Sequence, residues 1–287
     1  SIGEGAFESC YKLYSVVIPE GVKSIGSNTF CNCFNLRSVA IPESVKTIGP
    51  GAFWQCGNLR SVTIPEGVAT IGLRAFEHCR ALSSVIIPKS VANIENEAFH
   101  NCSSLYSIAV TDGNPVYDSR NNCNAIIETL SNTLLIGCMN TIIPEGVTSI
   151  ADNAFSGCSR LQSLTIPKSV TTIGDQSFRY CSGLTSIAVD EGNPVYDSRN
   201  DCNALIETAT NTLIIGCSNT IIPEGVTNIA DYAFYNSSLT SISIPNSVAA
   251  IGDYAFDDCR GLPSISIPNS VTEIGDHAFE GCTGITA

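Results

Sequence analysis

Cysteine and histidine are the side chains of this chain best suited to chemistry, because thiolates and imidazoles bind metals and act as nucleophiles or bases. The 287 residues include 14 cysteines and 3 histidines. A C-x₂-C metal site presents two thiolates from one turn, whereas nine of the cysteines recur singly, each three residues after a phenylalanine. This register predicts a stacked column of free, buried thiols. Its members are Cys10, Cys33, Cys56, Cys79, Cys102, Cys158, Cys181, Cys259 and Cys282.

The histidines, His78, His100 and His277, all lie within two residues of a phenylalanine. Glu77 and His100 occupy the same position in neighbouring repeats, so contact between them is expected. Such a pair is either the start of a catalytic or metal cluster or a solvated surface pair, and the second is favoured at these variable positions. No G-x-S-x-G, H-E-x-x-H or P-loop motif is present. We therefore expect no enzyme activity, no cofactor and no metal.

Acids and amides recur in "TDGNPVYDSRNN" (111–122) and "DEGNPVYDSRND" (190–201). Oxygen donors of this kind are the ligands that calcium prefers, but their spacing matches no EF-hand loop. Turn formation explains the same composition. A calcium site is therefore the less favoured of the two interpretations.

Phenylalanine marks a repeat of 22 or 23 residues, with two gaps of 56. The repeat reads L-x-S-[VI]-x-I-P-x-[GS]-V-x-x-I-G-x-x-A-F-x-x-C. The alternation in "LRSVTIP" (59–65) predicts a short strand with one buried face, ended by a proline that lacks the ladder N–H. Val68 and Ile71 should point inward on the return path, before Ala75 and Phe76 turn the chain.

One repeat is too small to bury its apolar face, so stacked repeats must share a continuous core. The phenylalanines should then form one structural ladder, in which each truncation to alanine costs about 3–5 kcal/mol. Its central members are Phe30, Phe53, Phe76, Phe99, Phe155, Phe178, Phe234 and Phe256.

The composition narrows the range of partners. The chain is 44% hydrophobic and carries a net charge of −13 with only 14 Lys and Arg. Nucleic acids and anionic membranes both require clustered basic residues, so neither is an expected partner. No apolar run reaches the roughly 18 residues of a membrane span.

The two long gaps contain near-copies of one insert, near 109–141 and 188–220, so a block of 79 residues is duplicated. Each insert reads as a Gly-Asn-Pro turn followed by a hairpin, with strands 125–128 and 134–137 in the first. A loop of Thr129–Asn132 would place Cys123 opposite Cys138, close enough for a disulfide. Cys202 and Cys217 form the equivalent pair, and free thiols are the alternative at both.

The repeat "LRSVTIPEGVATIGLRAFEHC" (59–79) resembles the BspA-like, or Treponema pallidum type, leucine-rich repeats, and the inserts resemble their "NP-x-Y/F-x-S" variant. The resemblance implies a right-handed, curved leucine-rich-repeat solenoid with a parallel β-sheet on its concave face and short strands, turns and 3₁₀ segments elsewhere. It covers the whole chain, so we expect a single domain, 1–287. Both ends fall inside a repeat, which indicates a piece of a longer protein. Family members are typically exported surface proteins, and several are implicated in adhesion.

Two sets of residues are candidate ligand contacts, because tyrosine and arginine are the usual anchors of interfaces. The first follows the leucine of successive N-terminal repeats: Tyr14, Arg37, Arg60 and Tyr106. The second is the tetrad offered by each insert: Tyr117, Asp118, Ser119 and Arg120, and again Tyr196, Asp197, Ser198 and Arg199.

These observations favour a non-catalytic, exported or cell-surface binding module that meets protein or glycan ligands. The alternative is a stiff stalk that holds another domain away from the cell. The chain is expected to be a monomer, and its extracellular location is implied by the resemblance alone.

Overall fold

The computed structural model describes residues 1–286, and short strands joined by turns make up almost all of its regular structure. Two three-residue 3₁₀ turns, Arg120–Asn122 and Arg199–Asp201, are also present. The strands are β1 Ser15–Val17, β2 Ser24–Ile25, β3 Ser38–Ala40, β4 Thr47–Ile48, β5 Ser61–Val62, β6 Thr70–Ile71, β7 Ser84–Ile87, β8 Asn93–Ile94, β9 Ser107–Val110, β10 Tyr117–Asp118, β11 Ile126–Glu128, β12 Thr133–Ile136, β13 Ser149–Ile150, β14 Ser163–Ile166, β15 Thr172–Ile173, β16 Ser186–Val189, β17 Tyr196–Asp197, β18 Ala204–Glu207, β19 Thr212–Gly216, β20 Asn228–Ile229, β21 Ala250–Ile251 and β22 Glu273–Ile274.

The chain divides into two compact units. Unit 1 comprises residues 1–142 and 150–158, and unit 2 comprises residues 143–149 and those from 159 onward. That the whole chain forms a single domain stays a prediction. No helix among residues 1–286 has the length and apolar character to cross a membrane.

The first parallel sheet of unit 1 consists of β1, β3, β5, β7 and β9. Equivalent serines of successive repeats lie opposite one another, Ser15 against Ser38 and Ser38 against Ser61. Within each strand the side chains alternate between the two faces, so Val39 is buried whereas Ser38 and Ala40 are exposed. This confirms the predicted strand with one buried face.

A second parallel sheet of unit 1, β2, β4, β6 and β8, forms on the return path of each repeat. Val68 and Ile71 point inward as predicted, and both are fully buried. The pairing of these short segments was not predicted. Gly49, just after β4, has no positive φ, but a Cβ there would lie 2.8 Å from the carbonyl carbon of Gly26 in the preceding repeat. Glycine therefore lets neighbouring repeats approach closely at this point.

The turn after the second strand carries the phenylalanines, whose rings stack in columns within each unit. In unit 1 the ring centroids of Phe30 and Phe53 are 5.3 Å apart and those of Phe53 and Phe76 are 5.1 Å apart. In unit 2 those of Phe234 and Phe256 are 4.9 Å apart. The residues two before and two after the phenylalanine have positive φ, as Asn28 and Asn32 do around Phe30, and asparagine and glycine adopt this conformation more readily than most residues.

Each insert forms an antiparallel three-stranded meander, β10-β11-β12 in unit 1 and β17-β18-β19 in unit 2. The predicted hairpin is present, since Glu128 lies opposite Thr133 across the loop Thr129–Asn132. Strand β10, which pairs Tyr117 with Glu128, is an addition to that prediction.

The insert continues the stack of repeats but omits the phenylalanine turn. Gly137 at the end of the first insert donates from its N–H to Ala154 O over 2.8 Å. In an ordinary repeat the phenylalanine N–H makes this bond, as Phe53 does to Ala75 O. A Cβ at residue 137 would overlap the ring of Phe155, so only glycine fits. The same arrangement recurs in unit 2 with Gly216 and Phe234.

Candidate ligand-binding surfaces

The first candidate surface is a column beside the first sheet of unit 1, which we call the Tyr/Arg strip (Tyr14, Arg37, Arg60 and Tyr106). All four residues are exposed. Backbone bonds align them, because Arg37 N donates to Tyr14 O over 2.9 Å and Arg60 N donates to Arg37 O over 3.2 Å. Ser83 completes the column by accepting from Tyr106 N over 3.0 Å.

The strip combines flat aromatic and cationic groups with apolar neighbours. The Arg37 guanidinium lies 5.4 Å from the centroid of the Tyr14 ring, a cation–π distance that orders both side chains while leaving them accessible. On the other side of the aligned serines of the sheet (Ser15, Ser38 and Ser61), Val17 is 79% exposed and Ile86 is 62% exposed. Planar, amphipathic and apolar groups on a regular strand surface suit an extended protein segment.

The tetrads of the inserts are built differently from the expected surface anchors. Tyr117 and Tyr196 are buried, with 5% and 8% of their surface exposed. The Tyr117 hydroxyl accepts a hydrogen bond from Ile94 N at 3.0 Å. Ile94 ends β8, which is the edge strand of its sheet, so no further strand of that sheet pairs with this N–H. The two tyrosines therefore belong to the core, and the expectation that they anchor a ligand does not hold.

The charged members of each tetrad form an internal clamp. Arg120 donates to both carboxylate oxygens of Asp118, at 2.8 and 2.6 Å, and to Asn132 Oδ1 at 2.8 Å. Arg199 repeats these bonds with Asp197 and Asn211. Burial alone would raise the pKa of Asp118, but the hydrogen bonds from Arg120 outweigh it and lower that pKa. Since both carboxylate oxygens are occupied, turn formation rather than calcium binding explains these acids.

A third surface, missed by the sequence analysis, is a notch in unit 2 where the second insert omits its turn. We call it the Arg/Tyr notch (Arg179, Tyr180, Tyr232 and Tyr235). The Arg179 guanidinium lies 4.5 to 5.0 Å from the centroids of all three tyrosine rings. Arg179, Tyr232 and Tyr235 line a cavity of about 450 Å³ together with the insert residues Ile215 and Gly216.

The family becomes clear from a comparison of the whole sequence. The model of the BspA type leucine-rich repeat region matches six copies, over residues 1–126, 129–199 and 213–287. The chain belongs to the BspA-type leucine-rich-repeat family. No curated protein matches this leucine-rich-repeat chain.

Solved structures share the leucine-rich-repeat fold. A leucine-rich repeat protein from Eubacterium ventriosum aligns over 95% of this chain and 83% of its own, with 23% identity and a TM-score of 0.57. The pneumococcal vaccine antigen PcpA aligns over 99% of this chain and 73% of its own, with 22% identity and a TM-score of 0.55. A leucine rich cell surface protein from Faecalibacterium prausnitzii is 27% identical over 99% of this chain and 61% of its own, with a TM-score of 0.52.

All four insert cysteines of this BspA-type chain are free thiols. Cys123 Sγ points to Ala125 O at 3.9 Å and Cys138 Sγ to Asn124 O at 3.4 Å. A register shift between Ile126 and Ile127 means that the pairing of the two strands does not follow the register of a regular hairpin. The expected disulfides Cys123–Cys138 and Cys202–Cys217 are therefore not formed in the structure.

The histidine cluster is more buried than a solvated surface pair. Glu77 has 7% of its surface exposed, and its Oε1 lies 3.3 Å from His100 Nδ1 and 3.5 Å from His78 Nε2. Potential ligand atoms of Glu77, Glu97 and His100 all lie within 4.8 Å of one another. However, Arg74 Nε lies 2.6 Å from Glu97 Oε2, so the protein supplies its own compensating cation.

One signal in the sequence of this BspA-type chain points to the Arg/Tyr notch. The duplication of 79 residues aligns Arg179, Tyr180, Tyr232 and Tyr235 with His100, Asn101, Asn153 and Ser156. Two otherwise similar blocks thus differ by one arginine and three tyrosines at four positions. Only the fold shows that these four residues form one cluster and that three of them line a cavity.

Proposed function

We propose that this chain is a non-catalytic binding module of a cell-surface protein, and that it holds a protein ligand on the Tyr/Arg strip. The exposed Arg37 stacked on Tyr14 is the observation that carries the proposal, because an arginine in an ordered, accessible stack is a typical interface anchor. By contrast, the guanidinium groups of Arg120 and Arg199 form hydrogen bonds with Asp118 and Asp197 of their own inserts.

The shape of the strip supports an extended ligand. Equivalent residues of successive repeats lie in register along the sheet, so the strip offers similar contacts at regular intervals. Tyr14 and Tyr106, at its two ends, are 56% and 49% exposed. The 27% identical relative from Faecalibacterium is named a leucine rich cell surface protein, which supports a surface location as the context of binding.

The test is biolayer interferometry of the chain against immobilised host matrix proteins, at low and at physiological salt. The strip variant combines Arg37→Ala, Arg60→Ala and Tyr106→Ala. The matched control combines Arg80→Ala, Arg160→Ala and Tyr11→Ala, three exposed residues away from the strip. Both variants lose the same two charges and one aromatic ring, so a general effect of net charge affects them equally.

We expect a saturable signal that survives physiological salt, is retained by the control and falls at least about tenfold in the strip variant, a loss of about 1.4 kcal/mol. Equal binding by the wild type and the strip variant would contradict the proposed site. Silence across the panel would contradict protein binding and favour the stalk.

A further inference from the structure

The two inserts create equivalent notches, and their comparison shows what is unusual about the second. In each, the insert repeat lacks a phenylalanine turn, so the turns of the flanking repeats face each other across a gap. The first notch lies within unit 1 and the second within unit 2. Residues that line the first notch have their counterparts, 79 residues further along the chain, in the lining of the second.

The first notch is bridged by contacts between its two flanking turns. His100 Nε2 lies 2.7 Å from Ser156 Oγ, and Asn101 N donates to Ser156 O over 3.4 Å. A small hydroxyl side chain at residue 156 lets the imidazole reach across the gap. The space of the first notch is divided into a cavity of about 40 Å³ that Gly137 lines and a second one of about 370 Å³ that Ile94 and Glu95 line.

The substituted tyrosines make different contacts in the second notch, which forms one undivided cavity. Tyr235 replaces the serine and meets Tyr180 hydroxyl to hydroxyl at 3.2 Å, with the rings edge to face. Tyr232 stacks on Tyr254 of the next repeat at a centroid distance of 5.1 Å, which fixes the third ring. The resulting cavity of about 450 Å³ lies within the range of 300–1,000 Å³ typical of small-molecule sites.

The interior of the notch offers both apolar faces and unpaired polar groups. Its floor is formed by Ile215, Gly216 and the ring of Phe234. Arg179 donates from Nη1 to Gln176 Oε1 at 2.8 Å, but its buried Nε has no hydrogen-bond partner among the described residues. A buried donor without a partner costs free energy, which a ligand acceptor would recover. Burial also raises the pKa of Tyr235 to about 12, so its hydroxyl stays protonated.

The charges around the notch select against ions of either sign. The carboxylates of Asp175, Glu207 and Asp231 line it and repel an anionic ligand. A cationic ligand would find the tyrosine rings already in contact with Arg179. A neutral ligand therefore suits the notch. Its apolar C–H faces would pack on the planar groups, and its hydroxyls would form hydrogen bonds with acids, amides and tyrosines.

We propose that the Arg/Tyr notch of unit 2 binds a neutral saccharide, with the sugar ring packed against the arginine–tyrosine cluster and a hydroxyl or ring oxygen accepting from Arg179 Nε. This site is distinct from the Tyr/Arg strip, so the two binding activities are independent. The first notch, which has His100, Asn101, Asn153 and Ser156 in place of the arginine and the tyrosines, does not share it.

The experiment is saturation-transfer-difference NMR of the full chain with methyl glycosides of neutral sugars, and with glucuronic acid, sialic acid and glucosamine for comparison. The notch variant combines Tyr180→Asn, Tyr232→Asn and Tyr235→Ser, which are the residues at the equivalent positions of the first notch and so are compatible with the fold. A second variant, Arg179→Lys, keeps the charge but removes Nε–H. Tyr11→Ser is the control, since Tyr11 is 53% exposed and lies outside both surfaces. Circular dichroism checks the fold of each.

We expect saturable binding of at least one neutral saccharide, with transfer strongest to its ring C–H protons. Affinity should fall at least about tenfold in the notch variant and measurably in Arg179→Lys, and should be unchanged in Tyr11→Ser and in the strip variant. The proposal is overturned if no neutral saccharide binds the folded chain, if an acidic or amino sugar binds better, or if the notch variant retains full affinity. None of these outcomes bears on protein binding at the strip.

Discussion

The thiol of Cys79 donates a hydrogen bond to the carbonyl oxygen of Phe53 in the preceding repeat, with 3.3 Å between Sγ and O. The link recurs from Cys56 to Phe30 and from Cys102 to Phe76, at 3.1 and 3.2 Å. The cysteine register is therefore more than a column of small apolar side chains. Each thiol connects the turns of two neighbouring repeats, beside the stacked phenylalanines.

Replacement of Cys79 by alanine should lower the free energy of unfolding by about 1–2 kcal/mol, because it removes a fully buried side chain together with its hydrogen bond. Urea unfolding followed by circular dichroism measures this change. Cys10→Ala is the control, since Cys10 is exposed, and its effect should stay within about 0.5 kcal/mol. Equal effects of the two substitutions would show that the thiol link is not stabilising.

Stability should fall as the pH rises above 9. Burial raises the pKa of Cys102 and of Cys259 from 9.0 to about 12. Between these values the folded chain keeps protons that the unfolded chain loses, so the stabilisation is complete below pH 9 and decreases toward pH 12. Each such thiol contributes a slope of about 1.4 kcal/mol per pH unit.

This slope is measured by urea unfolding in reducing buffer between pH 8 and pH 11. The Cys102→Ala variant should show a shallower decline than the wild type, and it serves as the control for other alkaline titrations. Parallel curves would contradict the assignment of the slope to the buried thiol.

Tyr117→Phe should destabilise the chain by about 1–3 kcal/mol, because Ile94 N–H would lose its acceptor in a partly buried place. Thermal unfolding measures the loss, and Tyr106→Phe, an exposed tyrosine, should have little effect. Ligand binding by Tyr117→Phe should remain at the wild-type level, since the tyrosine is a core residue. A loss of binding without a loss of stability would restore Tyr117 as a ligand contact.

Arg120→Lys should be nearly as destabilising as Arg120→Ala, at about 1 kcal/mol, because an ammonium group cannot reproduce the bidentate contact with Asp118. Burial would raise the pKa of Asp118, yet the bonds from Arg120 lower it below its ordinary 3.8. The contribution of the clamp is therefore present above that pH and is lost as the pH falls further. Denaturant unfolding at pH 7 and pH 3 separates the two states, and full rescue by lysine would argue against the bidentate geometry.

Gly137→Ala should cost about 1–3 kcal/mol through overpacking, because its new methyl group would overlap the Phe155 ring. Gly57→Ala is the matched control, since a Cβ there meets no atom within 4 Å. Chemical unfolding of both variants measures the difference. Similar stabilities would show that the ring of Phe155 moves aside without cost.

Much of the fold was predictable because it is dictated locally and then repeated. The alternation of buried and exposed residues in "LRSVTIP" predicted the first sheet, and the spacing of phenylalanines such as Phe53 and Phe76 indicated where they would lie. The insert hairpin also followed from its turn residues. Strand β10 did not, because pairing of Tyr117 with Glu128 depends on how the chain returns to the hairpin.

The candidate sites were less predictable, because residue type does not reveal whether a side chain is exposed. Tyr117 and Arg120 have the composition of an interface anchor, yet the meander directs the tyrosine into the core and the arginine onto Asp118. Glu77 occupies a position that is variable in sequence, but its histidine neighbours cover it. In each case a contact between separate repeats or strands decides the role.

The sequence by itself determined the repeat, the strand positions, the phenylalanine spacing and the absence of clustered basic residues, since all of these depend on the order and type of neighbouring residues. The tertiary structure alone decided that Arg179, Tyr232 and Tyr235 line one cavity and that Tyr180 packs against Arg179 and Tyr235. These residues come from turns more than 50 residues apart, and the gap between them exists only because Gly216 lets the insert pass beneath Phe234 without a turn of its own.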